Sequence, residues 1–196
     1  MTELDLRQQR TRGALQAALI ALVTEMPFES LTVADVTRRA RVARKTFYAH
    51  YPDKDALLLD CVAPVLEAVA ASVSHTDVET LLADNKPLSY PVFKLVGERA
   101  GFYSALLNEQ GSARLIVFVL DFLTRHSYER HERLWRSAPR LEVEPLLIAH
   151  FLAGALFNSV RWWLRQACQP SAEIMAYTFS RLAAPGALGA LGYDPS

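Results

Sequence analysis

Apolar positions recur along this chain at helical intervals. Leu15, Leu19, Leu22 and Met26 fall at i, i+4, i+7 and i+11, which predicts one buried face of a first helix. Pro27 ends it, because the residue before a proline is pushed out of the α region. Thr32 then reads as an N-cap, with Asp35 three residues on as a capping-box variant, and Val33, Val36 and Ala40 supply the apolar face of the helix it opens. A turn around Arg41 and Val42 leads into another short helix ending near His50. Pro52-Asp53 starts a fourth, with Leu57, Leu58 and Val62 on its apolar side. Three short helices up to Tyr51, the last two separated by a tight turn, make a helix-turn-helix. Longer helices are predicted over roughly 88–100, 102–109, 112–137, 144–168 and 171–184, with prolines at 87, 139, 145 and 170 marking several of the joints. Sustained period-2 alternation and Asn-Gly or Asp-Gly hairpin signals are missing, so the predicted fold class is all-α.

With 196 residues and 51% hydrophobic content, the chain can bury a core and can hold a small module beside a larger domain. Its first ten residues, MTELDLRQQR, contain no apolar run that reads as a signal peptide. Cys61 and Cys168 form no CxxC pair, which argues against a disulfide framework or a zinc site. The longest uncharged stretch, Pro145 to Val160, is sixteen residues, against the roughly 20 that a membrane span needs. These features predict a soluble, cytoplasmic protein with no cofactor, no metal and no membrane partner.

Charge changes the picture. The chain has a formal net charge of zero, yet residues 38–54 hold Arg38, Arg39, Arg41, Arg44, Lys45 and Lys54 against Asp53 alone, five net positive charges. On a helical projection of residues 44–51, Phe47 and Tyr51 share one face and can hold the helix down. Lys45 and Ala49 lie opposite, with Arg44 and Tyr48 on one flank and Thr46 and His50 on the other. That layout suits a helix in a DNA major groove, whose tip reaches base edges while both flanks meet phosphates. A charge run alone is more often a solvated face, but here the rings that alternate with the charges have a packing role.

The stretch LTVADVTRRARVARKTFYAHYPDKDALL, within residues 8–60, resembles the DNA-binding domain of the TetR family of bacterial transcriptional regulators, and TFYAHYPDK is its most specific part. The segments FYSALLNEQG and RWWL resemble one branch of that family. The resemblance implies a helix-turn-helix DNA-binding head over residues 1–52 and a helical effector-binding and dimerisation domain over residues 53–196. It implies Arg44, Lys45 and Thr46 near bases or adjacent phosphates, and Tyr48, His50 and Lys54 on phosphates, with Thr32 assisting. His50 also reads as a plain surface residue, and Thr32 as a cap alone. The chain departs from the family pattern at the turn, where a usual glycine is Arg41, and at Ala43, Thr37 and Pro27.

The implied function is a transcriptional regulator, a repressor released from a palindromic operator by a small, largely apolar effector. The alternative is a DNA-binding factor that works architecturally or under a protein partner, without an effector. An enzyme is disfavoured because GxSxG, Walker and HExxH motifs are missing. Fifteen of the nineteen aromatic residues lie beyond residue 85, more than an even spread would place there, so Phe93, Phe102, Phe118, Phe122, Phe151 and Trp162 are candidate effector contacts. Asn158, with His150 on the same helical face, either orients an effector's polar end or faces a partner subunit. Residues 146–160 carry no Asp, Glu, Lys or Arg and are apolar all round. Such a helix is covered on both sides; one reading is a homodimer with Ile174, Tyr177 and Leu182 completing the bundle, the other a central core helix of a monomer. The C-terminal PGALGALGYDPS resembles a phosphate-loop fragment, but with no strand before it the expectation is a frayed tail.

Overall fold

The computed structural model describes residues 3–73, 87–108, 112–138, 143–190 and 192. Their order is α1 (Glu3–Glu25), a 3₁₀ turn (Phe28–Ser30), α2 (Val33–Ala40), α3 (Arg44–His50), α4 (Lys54–Val73), α5 (Tyr90–Glu98), α6 (Ala100–Leu106), α7 (Ala113–Arg130), α8 (Glu132–Ser137), α9 (Pro145–Arg165) and α10 (Ala172–Ala190). The fold is all-α, with no strand among the described residues. Two compact units form, one from Met1–Pro64 with Gly101–Ile116, the other from Val65–Ala100 with Val117–Ser196.

In the first unit, Leu15, Leu19 and Leu22 of α1 are buried, as their spacing predicts. Met26 is not: it is 40% exposed, because α1 stops at Glu25 and the buried stripe stops with it. Packing of α2 against α1 and α3 places Val36 and Phe47 at 0% exposure. Leu57 and Leu58 of α4 join this core, as do Phe102, Leu106 and Leu115 from α6 and the start of α7. Within α4, Pro64 removes a backbone donor, so the Asp60 carbonyl loses its usual partner four residues on.

In the second unit, α5 packs on α9 and α10. Phe93 and Trp163 meet edge-to-face with ring centroids 5.5 Å apart, and the Trp163 indole N–H donates to the Pro170 carbonyl at 2.6 Å. The helices approach closely at Gly97, where a Cβ would come within 3.0 Å of the Trp163 ring. Trp135 and Ile148 form a further cluster, covered by Leu152, Ala187 and Ala190 among others.

Two helices differ from the sequence expectation. The predicted 112–137 helix is interrupted at His131, where Trp135 Nε1 donates to the Tyr128 carbonyl at 3.0 Å and ties the short α8 back on α7. The last helix does not fray at residue 184 but continues through Pro185 to Ala190. Ala187 and Ala190 pack on the Trp135–Ile148 cluster, and that burial holds the turn that the proline weakens. Residues 191 and 193–196 of the tail, the joint at Pro139, and residue 109 at the predicted end of another helix lie outside the described residues.

Candidate nucleic-acid interface

The helix-turn-helix is built from three local devices. At its start, the Thr32 side chain accepts from the Asp35 N–H at 3.2 Å while the Thr32 N–H donates to Asp35 Oδ2 at 3.1 Å, a reciprocal capping box. The Thr32 hydroxyl also donates to Asp35 Oδ2 at 2.5 Å. These hydrogen bonds, with a lesser contribution from the Arg38 charge, hold the Asp35 carboxyl below its ordinary value. At the end of α2, the chain reverses through Arg41, a left-handed residue at φ 55° and ψ 40°. At the start of α3, Ala43 provides no side-chain cap, so the helix depends on packing. Phe47 supplies it at 0% exposure, with Tyr51 beside it at 5.9 Å between ring centroids.

Anchoring Phe47 and Tyr51 turns the rest of α3 outward. Arg44, Lys45, Tyr48 and Ala49 are exposed, and Thr46 and His50 are half-buried on the flank. Tyr48 is 51% exposed, with its ring edge-on to Phe47 at 5.4 Å. Among the described residues, no hydrogen bond or ion pair engages the side chains of Arg44 and Lys45. Two cations just upstream are already matched: Arg38 by Asp35 at 3.3 Å, and Arg39 by Glu25 in a two-point pair at 2.9 and 2.5 Å.

Lys54 is placed differently from the cations of α3. Its Nζ donates to the carbonyls of Phe28, Glu29 and Leu31 at 2.8, 3.0 and 2.9 Å and lies 4.6 Å from the Phe28 ring centroid. An ammonium has three donors, and all are taken. Lys54 therefore locks the 3₁₀ turn to the first turn of α4, and a phosphate would have to displace one of these carbonyls.

A polar network that the sequence does not signal joins α1, the end of α3 and α4. Arg12 donates to Asp60 Oδ1 at 2.6 Å and, through Nε, to the Tyr51 hydroxyl at 3.4 Å; Gln16 and Tyr51 donate to Asp60 Oδ2 at 2.8 and 2.5 Å. Burial and the bond to Asp60 raise the Tyr51 phenol to about 12. Burial also pushes the Asp60 carboxyl up, but the donors from Tyr51 and Arg12 with the Arg12 charge outweigh it, and the group is held below its ordinary value. Tyr51 thus has two roles, with its ring under α3 and its hydroxyl on α4. Nearby, Asp53 caps α4 by accepting from the Ala56 N–H at 2.7 Å and pairs with Arg114 at 3.2 Å, while Ser112 donates to Asp55 at 2.9 Å.

The candidate effector residues do not form one group. Phe93 is a core residue of the second unit, and Phe102 of the first. Phe118 and Phe122 are half-buried on α7, where Phe122 stacks on His126 at 5.9 Å. Phe151 and Trp162 are 59% and 48% exposed, on the same face of α9 as Leu147 and the exposed Asn158, whose amide is turned back onto the Gly154 carbonyl at 3.1 Å. His150 lies 3.4 Å from the Thr124 hydroxyl. On α10, which packs on α9, Ile174, Tyr177 and Leu182 are exposed as well. Among the described residues, no His/Cys/Asp/Glu cluster could hold a metal ion, and no helix is long and apolar enough to cross a membrane.

Residues 15–61 match the family model for bacterial regulatory proteins of the tetR family, and residues 86–184 match a transcriptional regulator C-terminal region. A helix-turn-helix-type transcriptional regulator of Bacillus subtilis (strain 168), YxbF, is 40% identical over 187 residues, 90% of this chain, and the chain spans 45% of that relative's length. A TetR transcriptional regulator from Streptococcus agalactiae 2603V has the same fold with a TM-score of 0.65 and 21% identity, over 91% of this chain and 96% of that one. FadR from Thermus thermophilus, a transcriptional repressor solved in complex with lauroyl-CoA, aligns with a TM-score of 0.62 and 19% identity, over 89% and 94% of the two chains.

Proposed function

This chain belongs to the tetR family of bacterial regulatory proteins, and we propose that it is a DNA-binding transcriptional regulator, a homodimeric repressor whose α3 helices read the two halves of a palindromic operator. The observation that carries this reading is the outward face of α3. Arg44 and Lys45 stand exposed and unmatched, with Tyr48 beside them, on a helix anchored by Phe47. In this reading residues 1–52 form the DNA-reading head and residues 53–196 the control and assembly domain. Arg44, Lys45 and Thr46 meet bases or adjacent phosphates. Tyr48 and His50 meet phosphates. Thr32 and Lys54 contribute chiefly by holding α2 and α4 in place, at the edge of the same surface.

The exposed apolar residues of α9 and α10 support a two-fold symmetric dimer, since an isologous bundle would cover Phe151, Trp162, Ile174 and Leu182 at once. That use of α9 leaves Phe118 and Phe122 on α7 as the better candidates for touching an effector. The lauroyl-CoA complex of the Thermus thermophilus protein supports an effector with a long apolar part. Such a ligand acts on DNA only by preferring one spacing of the two heads; a swing from 1:99 to 99:1 needs about a 10⁴-fold preference.

Selection of bound duplexes from a random pool with the purified protein tests the DNA reading. The expected product is a palindrome with half-sites roughly 34–36 Å apart, or a multiple of that distance. Tyr48→Phe should weaken binding equally on all sequences. Arg44→Ala or Lys45→Ala should relax preference at particular base pairs, by about 1–3 kcal/mol for a two-point base contact. Wild-type affinity and preference in all three variants would remove α3 as the reading helix.

A further inference from the structure

Arg41 occupies a backbone position that disfavours its side chain. It is one of three described non-glycine residues with positive φ, the others being Ala167 and Cys168. The conformation is fixed by the end of α2: the Arg41 N–H donates to the Arg38 carbonyl at 3.3 Å and the Val42 N–H to the Thr37 carbonyl at 3.0 Å. Those paired bonds close a helix through a left-handed residue, which glycine supplies without steric penalty and a residue with a Cβ does not.

Nothing within the fold explains an arginine there. Its side chain is exposed, and among the described residues no hydrogen bond, ion pair or ring contact engages it. It offsets no nearby carboxylate either. Asp35 and Glu25 are already paired with Arg38 and Arg39. Within residues 38–54, Arg41 is instead the first of three unmatched cations, followed by Arg44 and Lys45 on the outward face of α3. Arg44 lies three positions after Arg41, so their Cα atoms lie within about 11 Å of each other. A conformational outlier whose side chain has no internal use, beside a binding face, points to function.

We propose that Arg41 is a further DNA contact: its guanidinium binds a phosphate of the operator backbone next to the recognition helix and fixes how α3 docks, without reading sequence. A planar guanidinium suits two-point recognition of phosphate. The proposal rests on the DNA-binding reading above, and adds a contact at the turn that the α3 face alone does not provide.

The test compares wild type, Arg41→Gly and Arg41→Gln on the selected duplex and on an unrelated duplex of equal length, at several salt concentrations, together with thermal melting. Arg41→Gly relieves the left-handed penalty, so its Tm should rise by about 2–4 °C; Arg41→Gln keeps the penalty and should melt with wild type. Both should bind about tenfold more weakly per head, by the same factor on both duplexes. The slope of log K against log salt should become shallower by about 0.9 per head. Such a combination, a more stable protein that binds DNA less well, is not the outcome of a structural role. Wild-type affinity and slope in both variants would overturn the proposal, as would a loss confined to particular base pairs, a loss in Arg41→Gly alone, or a fall in Tm for Arg41→Gly. Should Arg44→Ala change sequence preference while the Arg41 variants bind normally, only the Arg41 contact fails; a wild-type protein that enriches no duplex overturns both readings.

Discussion

Replacing Lys54 with methionine keeps most of the side-chain stem and removes the cation on which three carbonyls converge. A single hydrogen bond with one charged partner contributes roughly 1.5–3 kcal/mol, and a cation over an aromatic ring about 0.5–1 kcal/mol. Three bonds on one ammonium share its charge, and the bond to Glu29 is exposed to solvent, so the set contributes far less than three full bonds. A loss of about 2–3 kcal/mol follows, which for a chain of this size lowers Tm by roughly 5–10 °C. Thermal unfolding by circular dichroism measures the total, and hydrogen exchange localises it. The Leu31 amide, which donates to the Phe28 carbonyl at 3.1 Å, should lose protection while amides of α9 keep theirs. Lys54→Arg should fall between, because a planar fork cannot converge on three carbonyls as an ammonium does. A Lys54→Met protein that melts within about 1 °C of wild type would refute the reasoning. If that protein had lost DNA affinity as well, Lys54 would be a phosphate ligand first and a structural clamp second.

Asp60 makes stability depend on acid. Its carboxyl is depressed in the folded state, so its contribution is complete above the unfolded value of about 3.9 and is lost as pH falls through the folded one. Melting curves from neutral to acidic pH should therefore show a larger relative loss for wild type than for Asp60→Asn, which starts less stable at neutral pH; parallel profiles would remove Asp60 as the source. Phe151→Glu places a charge on the exposed face of α9, and light scattering at micromolar concentration should report a monomer where wild type gives a dimer. An unchanged dimer mass would move the interface elsewhere.

Much of the fold was legible because its signals are local. Thr32 with Asp35, Pro27 and Pro145 mark helix ends through chemistry confined to a few neighbouring residues, and the i, i+4, i+7 spacing of Leu15, Leu19 and Leu22 needs no tertiary information. The continuation of α10 through Pro185 was not legible, since it depends on burial against Trp135 and Ile148. Nor was the role of Lys54, whose carbonyl partners lie 23 to 26 residues away. The Arg12–Asp60 pair joins residues 48 apart, and no pattern along a single helix announces it. On α3 the outward and inward faces followed from period alone. For the candidate effector residues, period and aromatic content did not tell the buried Phe93 and Phe102 from the exposed Phe151 and Trp162, because that depends on which helices pack together.

The first unit is written in two pieces of sequence, and this constrains the order in which it can be made. When Pro64 leaves the ribosome, its core still lacks Phe102, Leu106 and Leu115, each nearly inaccessible in the folded chain. Asp55 has not yet met Ser112. In the still unfolded chain, completing the unit means bringing together two pieces separated by the 36 residues of Val65–Ala100, at a loop-closure entropy of about 3 kcal/mol. A nascent or truncated chain ending near residue 64 therefore holds its recognition helix on an unfinished core. Lengthening the chain at a point between α4 and α5, by contrast, should add little to that closure entropy, which grows only with the logarithm of loop length.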